Sequence, residues 1–306
     1  MIFVSKGYFK SKNCLREVQC TMDKDKPIAL AHDSATYLST YMPLAKICDE
    51  ECPTEMLGIF RERDVIPWHR IQEFQLVSLK LLAEQLLLGC PREVSQDSID
   101  LFIPGELPLR RMALRGRIVV YASSYNPGAL SVARDLAASM GGNLEVTADP
   151  TAIATKLPGT SGKRTTVFML LYLNDQTFLS TAGEMLAKEL RTVRAEGSTV
   201  QVIMVHENDT DRGGCDFGIF FDGRTPQDLL QDGLFKDLAL ALYSHVHWPV
   251  SAALVANAMG ATAASLRSRS SFTTASATRR AVGQEAAGTE SVQVVVSQRR
   301  GKHSST

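Results

Sequence analysis

Val167-Phe168-Met169-Leu170-Leu171-Tyr172-Leu173 is an apolar run with no polar interruption. A strand with one solvated face alternates apolar and polar residues, whereas a strand covered on both faces does not. The run therefore reads as an inner strand of a parallel sheet with helices on each side. Upstream of it, Arg117 to Ala122 (RIVVYA) is a strand, and Asn126-Pro127-Gly128 opens a helix carrying Leu130, Val132, Ala133, Leu136 and Met140. Gly141-Gly142 ends that helix, and Leu144-Glu145-Val146 is the next strand. Downstream come a helix over residues 177–195 ended by Gly197, a strand at Val200 to Val205, and helices near 226–242 and 249–259. Strand and helix alternate throughout, which gives an α/β fold with a doubly wound parallel sheet.

The amino-terminal part reads in the same way. Ile2-Phe3-Val4 is a short strand, and GYFKSKNCLREVQCTM (7–22) is a helix on which Leu15, Val18 and Met22 recur at three and four residues. Pro27 stops it. Ile28 to Ala31 is a strand ending at His32-Asp33, and a loop with Cys48, Cys52 and Pro53 follows. Residues 71–88 form an apolar helix with Phe74, Val77, Leu81 and Leu82 on one face. Prolines and glycines mark 89–114 as a linker. The expected organisation is thus a first unit at 1–88, the linker, a second unit at 115–260, and a tail at 261–306. The tail is rich in Ser, Thr, Ala and Arg and poor in large apolar residues, so it is expected to be disordered. After Leu266 it carries seven Lys/Arg against two Glu, a local basic bias that suits a solvated terminus.

The two units look like copies. Both have a strand ending in His and an acid, His32-Asp33 and His206-Glu207. Each is followed by a Cys-containing loop, a Gly-Ile-Phe tripeptide (Gly58 to Phe60, Gly218 to Phe220) and an apolar helix. The helix before that strand carries Leu15-Arg16-Glu17-Val18 in one copy and Lys188-Glu189-Leu190 in the other. Two strand–helix elements at 117–146 have no counterpart before Met1. The expectation is a first unit without its first two strand–helix elements, and an exposed sheet edge at Ile2 to Val4.

Composition narrows the function. With 33 basic and 33 acidic residues the chain has no net field to attract nucleic acid. No apolar run reaches the length of a membrane span and no secretion signal is visible. Six cysteines, scattered rather than paired, read as free thiols of a cytoplasmic protein, and no metal motif is present. Gly159 to Lys163 has the wrong spacing for a phosphate loop and precedes a strand. His206, Glu207, Asp209, Asp211 and Cys215 read as a polar surface loop, and Asn126 to Gly128 as a tight turn.

VSKGYFKSKNCLREV (4–18) resembles a segment of the Toll/interleukin-1 receptor (TIR) domain family, at the end of its third strand and the following helix. Ser5, Tyr8, Ser11, Cys14 and Glu17 carry the likeness. Asn13 departs from it, standing where plant-type members have tryptophan. The resemblance extends over 2–88 and, more weakly, 115–260. It implies flavodoxin-like three-layer units with a central parallel sheet, two in tandem. It also implies a self-associating signalling module whose partners are TIR domains of the same or other chains, a homo-oligomer among them. Some members instead cleave NAD at the nicotinamide–ribose bond, with NAD as substrate and no cofactor required. The resemblance then implies Glu17 as the catalytic carboxylate, Glu189 as its counterpart in the second unit, and Ser5, Tyr8, Ser11 and Cys14 as substrate contacts. A carboxylate suits that chemistry because bond cleavage leaves positive charge on the ribose. Glu184 and Lys188, four residues apart, read as ordinary helix support.

Overall fold

The structure, a computed structural model, describes residues 1–36, 38–61, 63–89, 101–103, 105–106, 112–114, 116–140, 144–154, 165–263 and 295–296. These fall into two compact units, Met1–Glu106 and Leu107–Arg267, with Val295–Val296 grouped with the first. Most of the expected linker and tail, and Gly141-Gly142, lie outside the described residues. At their margins, Leu101–Phe102 pairs antiparallel with Val295–Val296, and Met112–Ala113 with Thr262–Ala263.

The first unit is a parallel sheet of β1 (Ile2–Val4), β2 (Leu30–Asp33) and β3 (Val65–Trp68), in that order. Helix α1 (Lys12–Asp23), α2 (Leu44–Glu50) and α3 (Gly58–Arg61) fall between the strands, and α4 (Gln72–Leu88) follows them. One face of the sheet packs Ile2, Val4, Leu30, Val18, Ile47 and Ile59. The other packs Ala29, Ala31, Ile66 and Leu82, with Phe3 and Trp68 edge to face at 5.9 Å. Among the described residues β1 pairs only with β2, so the expected edge at Ile2 to Val4 is present.

Several expectations for this unit are corrected. Helix α1 starts at Lys12, not Gly7. Gly7 has φ 83°, Tyr8–Lys10 is a single 3-10 turn, and the Ser11 hydroxyl accepts from the Cys14 N–H, which fixes the helix start. Strand β2 is displaced two residues, so His32 and Asp33 belong to it. Strand β3, which contains Pro67, lies where no strand was expected between the loop and α4. It is the outer strand, where a residue without an N–H is tolerated. On α4 the fully buried residues are Phe74, Ser78 and Leu82, while Val77 and Leu81 are half-buried.

The second unit has the flavodoxin-like order β5-β4-β6-β7-β8, all parallel. The strands are β4 (Arg117–Tyr121), β5 (Leu144–Thr147), β6 (Thr165–Leu173), β7 (Gln201–Glu207) and β8 (Leu240–Leu242). The helices are α5 (Ala129–Met140), α6 (Thr151–Ala154), α7 (Ser180–Arg194), α8 (Gln227–Gln231) and α9 (Trp248–Ala258). Every residue of β6 from Val167 to Leu173 is buried. Alternate residues serve two cores. Phe168, Leu170 and Tyr172 face α5 and α9, and Met169, Leu171 and Leu173 face α7. This three-layer arrangement is what the run at 167–173 implied. The expected helix at 226–242 is corrected: α8 ends at Gln231, Gly233 takes φ 71°, and Leu240–Leu242 is the outermost strand. Thr151–Ala154, expected as loop, is a single helical turn.

The internal likeness holds at the level of individual bonds. His32 Nε2 lies 2.9 Å from the Met42 carbonyl oxygen, and His206 Nε2 lies 2.9 Å from that of Cys215. The acid after each is buried, Asp33 and Glu207. The last helix of each unit buries a serine, Ser78 and Ser251, that bonds the carbonyl four residues back.

Candidate functional site

In an open parallel sheet, ligands sit beyond the carboxyl ends of the strands, where the strand order reverses. Here that point lies between β4 and β6. Side chains fill it. Asn126 bridges the strands with both amide atoms: Nδ2 donates to the Tyr172 carbonyl and Oδ1 accepts from the Tyr172 N–H, each at 2.8 Å. Asn174 Nδ2 donates to the Pro127 carbonyl at 2.8 Å. Gly128, at φ 83°, is so close to Tyr172 that a Cβ would lie 2.7 Å from the ring. The expected tight turn at Asn126 to Gly128 is therefore also a clamp.

The polar group at the end of β7 is corrected in part: His206 and Glu207 belong to the strand, while Asp209 and Cys215 are half-buried and Asp211 is exposed, as a surface loop requires. His206 and Glu207 are both buried. Glu207 Oε2 accepts from the Tyr172 hydroxyl at 2.7 Å, and Oε1 accepts from the Asn208 and Asp209 N–H groups. Burial, then the Glu207 carboxylate, raises the Tyr172 hydroxyl pKa. Arg212 lies 3.4 Å from Glu207 and 3.5 Å from Asp135, with its guanidinium 5.9 Å from the Trp248 ring centroid. Burial lowers the His206 pKa, opposed by its bond to Cys215. The bonds among these groups are internal, so the network organises the loop ends of β6, β7 and β8.

The family-derived residues sit at the other end of the chain. Glu17 is exposed on α1. It lines an open groove of about 570 Å³ with Asn13, Arg16, Cys20 and Thr21, all from the same helix. Tyr8 and Cys14 are half-buried, and burial followed by the nearness of Cys14 and Glu17 pushes the Tyr8 hydroxyl pKa up to about 12. Tyr8, Cys14 and Glu17 are thus brought together. Ser11 is occupied as the α1 cap, and the Ser5 carbonyl accepts from the Tyr8 N–H at 3.0 Å in the turn.

Glu51, which the sequence did not single out, holds this loop. Its buried side chain accepts from the Gly7 N–H at 2.7 Å and pairs with Lys10 at 3.0 Å. Glu51 stands in the run Asp49-Glu50-Glu51 between Cys48 and Cys52, where no local pattern marks one of three acids as buried.

Glu189 occupies the place of Glu17 in the second unit, one residue before a buried core position in each: Val18 in α1, Leu190 in α7. Its surroundings differ. Glu189 is half-buried, and Oε1 accepts from the Tyr121 hydroxyl of β4 at 2.9 Å. Glu184 is exposed.

Among the described residues no cluster of His, Cys, Asp or Glu is arranged to hold a metal, and Cys14, Cys20, Cys48, Cys52 and Cys215 are free thiols. No helix among them is long and apolar enough to cross a membrane. The chain matches no protein-family model, no curated protein and no solved structure.

Proposed function

We propose that the chain is a TIR-like protein-interaction module of intracellular signalling, which self-associates and binds TIR-like domains of the same or other chains. The observation that carries this reading is the outward placement of large apolar side chains on both units. Ile71, Leu79, Leu86 and Leu88 are exposed on or beside α4, and Leu179, Phe221, Leu238 and Val246 in the second unit. Leu79 and Leu86 lie two turns apart on one face of α4, and Phe221 packs on Phe235 at 5.2 Å, so each unit carries adjoining apolar surface of the kind that marks contacts. The test is sedimentation of the purified chain across concentration. Mass rising with concentration supports the module, and a constant monomer mass removes its self-association.

One observation favours a second reading, an NAD glycohydrolase. Tyr8, Cys14 and Glu17 follow β1 closely enough to act on one another electrostatically, with Glu17 open to solvent. Glu17 would stabilise the ribosyl cation as nicotinamide leaves. The groove beside it is walled by one helix alone, however, and excludes little water. Nicotinamide release from NAD, abolished by Glu17→Ala, would replace the interaction reading with this one. The expected result is no release by either protein.

A further inference from the structure

The second unit carries a protruding apolar side chain and, on the same flank, a cleft with matching charges. Leu238 is 92% exposed, the most exposed of the large apolar residues described. It lies between the 3-10 turn Leu234–Lys236 and the edge strand β8, and it follows Lys236 and Asp237, both exposed. A fully solvated leucine forgoes the favourable burial of its apolar surface. Leu234 before it and Leu242 after it are both buried, so the chain emerges from the core at Leu238 and returns to it.

The cleft, of about 400 Å³, is lined by Phe178, Leu179, Ile219, Asp222, Gly223 and Arg224. Its walls come from the loop after β6 (Phe178, Leu179), the 3-10 turn Phe217–Phe220 (Ile219) and the turn that follows it (Asp222 to Arg224). Phe178 and Ser180 have φ of 64° and 57°, a backbone region unfavourable for side-chain-bearing residues, and between them Leu179 stands 39% exposed at the rim. Arg224 Nη1 donates to the Asp175 carbonyl at 2.6 Å, which fixes the guanidinium at the cleft's edge. The cleft therefore sets Phe178, Leu179 and Ile219 beside one fixed cation, Arg224, and one carboxylate, Asp222. Lys236-Asp237-Leu238 presents the complement: an apolar tip with one carboxylate and one cation.

The geometry points to a reciprocal dimer of this chain, in which Leu238 of each copy enters the partner's cleft, with Asp237 against Arg224 and Lys236 against Asp222. This rests on the self-association proposed above and locates it. The half-exposed ring of Phe221 joins the two features on one flank. It lies 5.2 Å from Phe235, which precedes the Lys236-Asp237-Leu238 segment, and it adjoins Asp222 in the chain. Knob and cleft on the same flank suit a two-fold interface, in which each contact is made twice. Leu179, Phe221 and Leu238 would form its apolar centre and the two charge pairs its rim, which sets register more than affinity.

The test is sedimentation equilibrium of the full chain, with circular dichroism to confirm that each variant is folded. Leu238→Glu is expected to weaken dimerisation at least about 100-fold, since it removes a central anchor and sets a carboxylate against Phe178, Leu179 and Ile219. Arg224→Asp and Asp237→Arg are each expected to weaken it about 10-fold or more, and the double variant to recover most of the loss. Folded Leu238→Glu and Arg224→Asp proteins, mixed, are expected to dimerise more than either alone, because one intact knob then faces one intact cleft. A wild-type protein that assembles while Leu238→Glu assembles equally well would overturn this interface and leave self-association standing. A wild-type protein that stays monomeric at all concentrations would overturn both.

Discussion

The Tyr121 hydroxyl donates to Glu189 Oε1 at 2.9 Å, joining the first strand of the second unit to the helix that follows its third strand. The equivalent carboxylate in the first unit, Glu17, is exposed. One sequence position thus has two environments, set by whether a strand lies beside the strand that precedes the helix. Tyr121 is buried, and burial followed by its bond to Glu189 raises its hydroxyl pKa. Tyr121→Phe is expected to lower stability by about 1–3 kcal/mol, because the Glu189 carboxylate loses its donor inside the fold. Chemical denaturation measures this. In the Glu189→Gln background the same change should cost less, and equal losses in both backgrounds would show that the bond carries no coupling.

Gly183 gives a prediction of unusual sign. Replacing glycine by alanine within a helix ordinarily stabilises by up to about 1 kcal/mol. At Gly183 in α7 an added Cβ would lie 2.3 Å from the Phe178 carbonyl carbon and 2.6 Å from its Cα. Backbone cannot yield as a flexible side chain does, so Gly183→Ala is expected to destabilise by about 1–3 kcal/mol. A melting temperature equal to or above wild type would contradict the packing of the Phe178 loop on α7.

The parts of the fold legible in the sequence are those where burial alone decides the residue types. Val167 to Leu173 could be read because both faces of β6 meet apolar layers. Strands β3 and β8 could not, for related reasons. Each is outermost in its sheet, β3 contains Pro67, and β8 has only three residues, with Leu240 and Ala241 half-buried. His206 and Glu207 were misread because polarity was taken for exposure. The distant Tyr172 hydroxyl, together with the N–H groups of Asn208 and Asp209 that follow in the chain, makes burial of Glu207 tolerable. At the candidate site, Glu17, Tyr8 and Cys14 were legible as a group through family likeness. Glu51 was not, because its partner is a backbone N–H 44 residues away, and no local pattern announces such a bond.

Glu51→Ala is expected to loosen the β1–α1 loop without dissolving the unit. It removes the acceptor of the Gly7 N–H and the partner of Lys10. The cost should be about 1–3 kcal/mol, mostly from the backbone donor left without its acceptor. Lys6 and Lys10 lie in this loop and are exposed, so trypsin reports on it directly. Faster cleavage after Lys6 or Lys10 in native buffer, located by mass spectrometry, is the expected outcome. Cleavage at the wild-type rate would mean that the loop is held by Phe9 and the apolar core alone.

Stability should fall on mild acidification, and His247 should account for much of the fall. Burial lowers its pKa from 6.5 to about 4, and burial lowers that of His206 as well. A group whose folded pKa is depressed stays neutral in the native state while the unfolded chain takes up the proton. The full native stability is therefore present above about pH 6.5 and declines as pH falls toward 4. From pH 6.5 to 5 the loss from His247 should reach about 2 kcal/mol. The carboxylates work in a different window. The nearby Ser244 hydroxyl and the Asp211 N–H hold Asp209 below its ordinary 3.8, and Arg191 does the same for Asp228, so both remain ionised through pH 5. Denaturation curves at pH 7 and pH 5 for wild type and His247→Gln separate the contributions. The variant should start less stable at pH 7, because the site is shaped for imidazole, yet lose less on acidification. An equal loss in both proteins would show that His247 is protonated in the native state, and the acid sensitivity would then belong to His206.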